Sequence, residues 1–274
     1  MFEPATEERD ADASAVKARE EAPASAALES RATQNHTATQ NSALTIAIVA
    51  AMEREVGPLV RGWRMRELVG DQRRYRLFES GNAVLTCSGI GAESARRAAE
   101  AVIEEFRPAR IVSVGFAGGL NLQMKIGDVM EPRVVVNALD GSQTDTGAGQ
   151  GTLVSYSAVA DRDQKERLAR AYSADAVDME AAAVAQAAQA RDIEFAAIKA
   201  ISDGADSEMP PVARFVSSDG QFRSASFALH VALRPWLWGS TIALARNSSR
   251  ASRALSAAIK AYCARELASR CKRP

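Results

Sequence analysis

The sequence predicts an α/β domain built on a mixed, largely parallel sheet flanked by helices. Two observations carry that reading. Short β-branched apolar runs such as "LTIAIVAAM" and "ARIVSVGFAGG" have the composition of strands buried on both faces. They alternate with stretches of helical periodicity such as "GAESARRAAEAVIEEF", the pattern of a sheet whose strands are joined through helices.

Along the chain, residues 1–43 stand apart. They mix Ala, Glu, Ser and Thr with almost no large apolar side chains, so burial cannot offset the entropy of ordering them. A disordered tail is expected there, with a transient helix allowed around residues 12–21; it has neither the basic start nor the apolar centre of a secretory signal. Residues 44–274 are expected to form one domain. Its first strand is 44–52, and "RRYRLFES" and "AVLTCSG" read as a hairpin about Gly81-Asn82. The helix of 91–106 and the strand of 109–119 come next. A loop rich in Gly, Thr and Asp is expected at 140–151, then a strand ("TLVSYSAVA") and a helix ("DQKERLARAY"). The stretch "VDMEAAAVAQAAQARD" reads as a helix, "EFAAIKAISDGAD" as a strand, and residues 215–270 as mostly helix.

Composition excludes several functions. Lys plus Arg and Asp plus Glu both number 34, so there is no net field to gather nucleic acid or anionic lipid. No run of about 18 uncharged apolar residues occurs, so no membrane span is expected. The three cysteines, Cys87, Cys263 and Cys271, fit no metal spacing, and their odd number argues against a closed disulfide framework, which suits a reducing cytoplasm. His36 and His230 are the only histidines, and His36 lies in the tail, which rules against a histidine-based triad or a multi-histidine metal site. The chemistry has to run on carboxylates.

In sheets of this kind ligands gather at the carboxyl ends of strands. "AAMEREV" places Glu53 and Glu55 after the first strand, "CSGIGAES" places Ser88 and two glycines ahead of a helix, and "GFAGGL" ends a strand at Phe116 to Gly119. "AISDGAD" ends another with Ser202, Asp203 and Asp206, and Met179 and Glu180 open a helix. Each has a plain structural alternative: a turn aspartate for Asp203, a satisfied strand end for Ser202, a solvated first-turn charge for Glu55, core packing for Met179. Asp178 has two readings, as a group positioning Glu180 or as a negative charge at a helix N-terminus.

Taken in order, "IAIVAAMEREV", "SGIGAESA", "GFAGGL" with the "IGDV" after it, "VDMEAAAVA" and "AISDGAD" resemble the nucleoside phosphorylase superfamily, and within it the methylthioadenosine/S-adenosylhomocysteine nucleosidase branch. The resemblance implies a three-layer α/β/α sandwich, a homodimer, and cleavage of a purine nucleoside's N-glycosidic bond without metal or organic cofactor. It implies Asp203 as the acid that protonates the purine N7 and Ser202 as the residue that holds its carboxyl group. Glu180 would accept from the ribose hydroxyls and Glu55 would activate water, with Met179 against the ribose face and Met52, Ile90, Phe116, Ala117, Gly118 and Val159 lining the pocket. On that basis Asp203→Asn is expected to abolish turnover while the fold stays close to normal, with Asp206 as the next candidate acid.

The chain departs from the branch in three ways. Phe116 stands where its members usually have serine, the segment between Asp128 and Val177 is shorter, and the base-stacking aromatic expected near Val159 is missing. The C-terminal stretch with Trp236 and Trp238 is long and apolar, read either as packing or as a surface for a lipid-like substrate. The expected reaction is hydrolysis of an adenosyl nucleoside to release adenine. The alternatives are a phosphorylase using phosphate as co-substrate, a nucleosidase for adenosylated hopanoids, and a non-catalytic nucleoside-binding protein.

Overall fold

A computed structural model of the protein describes residues 46–70, 73–207, 215, 217, 220 and 238–270. The expected tail of residues 1–43, and Trp236, lie outside the described residues.

The order begins β1 (Ile46–Ala50), α1 (Glu53–Val60), β2 (Arg64–Gly70), β3 (Arg73–Ser80), β4 (Ala83–Cys87), α2 (Ala92–Phe106) and β5 (Arg110–Gly119). It continues with β6 (Val129–Met130), β7 (Val134–Asn137), β8 (Gln143–Asp145), β9 (Thr152–Ser155), α3 (Arg162–Tyr172), β10 (Ala176–Asp178), α4 (Ala181–Gln189), β11 (Glu194–Asp203) and α5 (Trp238–Arg270). The strands join in one sheet ordered β2-β3-β4-β1-β5-β10-β9-β7-β8, with β11 paired to both β5 and β6. Its centre is parallel: β4, β1, β5 and β11 run together, as do β10, β9 and β7. The β2-β3-β4 meander, β6, β8 and the β10-β5 junction are antiparallel.

Period-two alternation along β1 explains the three layers. Ala47 and Val49 face α2 and α4, packing with Ala95, Ala98, Val184 and Ala185. Ile46, Ile48 and Ala50 face the other way, against Val56 and Leu59 of α1 and Leu255 and Ile259 of α5. The alanines of α2 and α4 let those helices lie close to each other and to the sheet. A third cluster seats Leu168 of α3 on Val154 and Val177. The described C-terminal helix packs on the sheet through Ala251, Leu255, Ile259 and Tyr262; the part of that stretch before Trp238 lies outside the described residues.

Two local expectations are corrected and one unassigned stretch is filled. The loop expected at 140–151 contains β8, which pairs with β7. The stretch 64–70, unassigned from sequence, forms β2, an edge strand whose alternating exposure leaves little apolar signal. The helix read from "VDMEAAAVAQAAQARD" begins only at Ala181: residues 176–178 are drawn into β10 by pairing with Leu153 to Ser155 and with Gly118-Gly119. Tertiary pairing overrides local propensity there. Met179 is thereby in the turn between strand and helix, and Glu180 is the N-cap of α4 rather than part of its first turn.

Candidate active site

The carboxyl ends of β1, β5 and β11 open into a cavity closed by the start of α1, the turn before α2, the β10-α4 turn, α3 and the N-terminal third of α5. Met52, Glu55, Ile90, Phe116, Ala117, Gly118, Val159, Met179, Glu180, Ser202 and Asp203 all line it. Arg54, Lys165, Asp178, Leu244 and Ser248 join them. Asp206 is exposed and lies outside this lining.

Glu55 is 3% exposed, so it is no solvated helix-turn charge, whereas Glu53 and Arg54 are exposed. One carboxyl oxygen accepts from the Met52 N–H at 3.2 Å, and the Phe116 backbone also hydrogen-bonds to the group. Burial pushes its pKa above the ordinary value, against the opposing effect of these bonds and of Lys199.

Asp203 comes just after a β-bulge: the β11-β5 register shifts between Ile201 and Asp203. A bulge turns side chains that would otherwise alternate, and here both Ser202 and Asp203 are buried at the cavity wall. Ser202 Oγ donates to Asp203 Oδ1 at 2.7 Å. The other oxygen, Oδ2, accepts from the ammonium of Lys165, which reaches across from α3. Gly118 makes room for this meeting, since a Cβ there would stand 3.0 Å from Asp203 Oδ2 and 3.1 Å from Lys165 Cε.

Glu180 Oε1 accepts from the Gly91 N–H at 2.8 Å. Gly91 is the N-cap of α2 with φ of 98°, a left-handed conformation that suits glycine and points its N–H at the carboxylate. Burial first, then repulsion from Asp178, push the Glu180 pKa up to about 7. Behind it lies a buried network that was not anticipated. Lys199, fully enclosed in β11, pairs with Asp178 at 2.8 Å and donates to Ser113 Oγ at 3.1 Å. Asp178 also accepts from Ser155 Oγ at 2.5 Å and from the Ala181 N–H at 2.9 Å, so it caps α4 and anchors the turn that carries Glu180. Burial pulls the Lys199 ammonium down, but Asp178, Glu180 and Glu55 more than offset this and leave its pKa raised.

The glycine-rich turn before α2 has its polar groups committed internally. Ser88 Oγ donates to the Ala50 and Gly89 carbonyls at 3.1 and 2.7 Å, and the Gly91 N–H is taken by Glu180. Near Val159 the cavity wall is Ala158, Val159 and Ala160; Tyr156 packs instead in the cluster under α3. Among the described residues no group of three or more His, Cys, Asp or Glu side chains is arranged to hold a metal ion, and no helix is long and apolar enough to cross a membrane.

A mixed sheet between helix layers, with carboxylates converging at its strand ends, defines an α/β protein with an acidic cavity at the carboxyl edge of its sheet. The family profile "Phosphorylase superfamily" matches residues 45–163 and 152–233, and the chain belongs to that family. It is 37% identical over 94 residues to a 5'-methylthioadenosine/S-adenosylhomocysteine nucleosidase of Staphylococcus haemolyticus, a match spanning 33% of this chain and 41% of that protein. The chain spans about two fifths of the length of the curated relatives it matches. Among solved structures, it resembles the S-adenosylhomocysteine nucleosidase of Streptococcus pyogenes in complex with 5-methylthiotubericidin. That match has a TM-score of 0.54 and 26% identity, and covers 60% of this chain and 86% of that one. The 5'-methylthioadenosine nucleosidase of Arabidopsis thaliana aligns with a TM-score of 0.60 over 79% of this chain and 93% of that one, at 21% identity, a likeness of fold.

Proposed function

We propose that the protein hydrolyses the N-glycosidic bond of an adenosyl nucleoside and releases adenine. The observation that carries this is the convergence of Glu55, Glu180 and Asp203, from three separate elements, on one cavity. Breaking the bond between ribose and purine leaves negative charge on the base and positive charge on the sugar. Asp203, steadied by Ser202, is the route for a proton to N7. Glu180 accepts from the ribose hydroxyls and stabilises the cationic sugar, and Glu55 takes the proton of the attacking water. Met179 packs against the ribose, while Ala117, Gly118 and Val159 border the base.

Hydrolysis is favoured over phosphorolysis because the backbone N–H at the start of α2, a position suited to an anion, is occupied by Glu180. A carboxylate at that point repels phosphate. The same resemblance supports a cytoplasmic homodimer that needs no metal or organic cofactor. A lipid-linked adenosyl substrate is a second reading, favoured by Phe116 and by Leu244 of α5 on the cavity wall. Incubating the protein with adenosyl nucleosides that differ at the 5′ position tests the proposal: adenine should appear without added phosphate, and the preferred 5′ group distinguishes the two readings.

The Glu180 pKa of about 7 gives this site a pH signature. Accepting from two hydroxyls requires the carboxylate, so kcat/KM should fall about tenfold per pH unit below about 7. Stability runs the opposite way. Between the ordinary value of 4.5 and about 7 the folded state keeps a proton that the unfolded chain has lost, so the Glu180 contribution weakens as pH rises through that window. The acid limb of kcat/KM should disappear in Glu180→Gln together with most of the activity; an unchanged limb in that variant would assign it to another group.

A further inference from the structure

The Lys165-Asp203 pair has a use that the nucleosidase reading, on which this inference rests, leaves open. Lys165 lies in the first turns of α3 and is 2% exposed. Its ammonium donates to Asp203 Oδ2 and, at 2.6 Å, to the Gly204 carbonyl. Several features hold it there. Asp161 accepts from the Gln164 N–H at 2.8 Å while the Gln164 side chain accepts from the Asp161 N–H at 3.0 Å, which fixes the start of the helix. Gly118 leaves the gap that both side chains fill.

Taking an ammonium out of water is costly, and an aspartate that merely closes a turn does not need one. The Lys165 ammonium is hydrogen-bonded directly to Asp203 Oδ2, so a proton can pass between the two groups along that bond.

We propose that Lys165 is the source of the proton that reaches the departing base, and that it acts through Asp203. As the C1′–N9 bond breaks, its electron pair stays with the purine. One proton leaves the Lys165 ammonium for the Asp203 carboxyl group, and that group releases one to N7. The products are a neutral amine, an unchanged carboxylate and a neutral base. Water adds to C1′ and gives its proton to Glu55; Glu55 then releases a proton to solvent and Lys165 regains one. The sum is nucleoside plus water giving free sugar plus base. A lysine ammonium is a weak acid, so it yields its proton only to a strong base, which the purine becomes as the bond breaks.

Other titratable groups around Lys165 have partners of their own. Asp178 on β10 pairs with Lys199, the Tyr156 hydroxyl accepts from Gln164 at 3.3 Å, Asp161 caps α3, and Glu166 pairs with Arg170 at 2.9 Å. Glu55 and Glu180 line other walls of the cavity.

Two substitutions separate proton supply from charge pairing. Lys165→Arg keeps a cation and its donors, but a guanidinium does not release a proton in proteins; Lys165→Met removes charge and proton together. With an adenosyl nucleoside both variants should lose about 10²–10⁴-fold in kcat, with KM kept near wild type. With a nitrophenyl riboside, whose leaving group departs without a proton, both should lose far less. The deficit of Lys165→Met relative to wild type should shrink as pH is lowered, since protons from solvent then replace the missing ammonium, while the acid limb set by Glu180 is common to both proteins and cancels in the ratio. Recovery of wild-type kcat by Lys165→Arg, or equal losses on both substrates, would overturn the proposal and leave Lys165 an electrostatic or structural partner. Base release by the wild type with unaffected variants counts against this inference alone; no base release by the wild type from any adenosyl nucleoside counts against the nucleosidase reading and this inference together.

Discussion

Glu55→Gln is expected to lower adenine release by about 10²–10⁴-fold, the usual range for loss of a general base, while nucleoside binding survives. Glutamine keeps the shape and one acceptor for the Met52 and Phe116 backbone groups but cannot take a proton from water. The raised pKa makes Glu55 a stronger base than an exposed carboxylate. It also fixes the sign of the stability effect. The folded protein resists ionising this group, so its charge costs stability as pH rises above the ordinary 4.5, and the neutral amide removes that cost. The melting temperature at neutral pH should therefore not be lowered. Turnover and calorimetric binding measured on the same preparation check this; unchanged turnover would remove Glu55 from the reaction.

Asp203→Asn should abolish turnover of adenosyl substrates and spare a nitrophenyl riboside. The sequence-based expectation of an undisturbed fold needs correcting, because Asp203 is half of a buried ion pair. Breaking a buried pair leaves an uncompensated charge and costs about 3–5 kcal/mol. A lower melting temperature is thus expected in this variant and does not argue for a purely structural aspartate. The double variant Asp203→Asn with Lys165→Met removes the stranded charge; it should recover much of the lost stability and none of the turnover. Thermal melts and base-release assays on the single and double variants decide the matter, and recovery of turnover in the double variant would count against acid transfer through Asp203.

Much of this site was legible because its residues sit where sequence signals are strongest. Apolar runs located β1, β5 and β11, and the loop at the carboxyl end of a buried parallel strand is the mouth of a site. The acid in "VDMEAAAVA" stood out against its small apolar neighbours, although the strand preceding it did not, because three residues pair only through long-range contacts. The two buried lysines differ in this respect. Lys199 interrupts the apolar run "EFAAIKAIS", and a charge in the middle of a buried strand is a signal that a partner such as Asp178 must exist. Lys165 had no such signal. It lies in "DRDQKERLAR" among Arg162, Glu166 and Arg167, and only the docking of α3 beside the bulge of β11 sets it apart from them.

The attack of water at C1′ is tested most directly by running the reaction in oxygen-18-labelled water, with and without phosphate, and weighing the sugar product. Hydrolysis with Glu55 as base predicts free sugar carrying one labelled oxygen and a rate of adenine release indifferent to phosphate. A sugar 1-phosphate without label at C1, or base release that stops when phosphate is withdrawn, would contradict it.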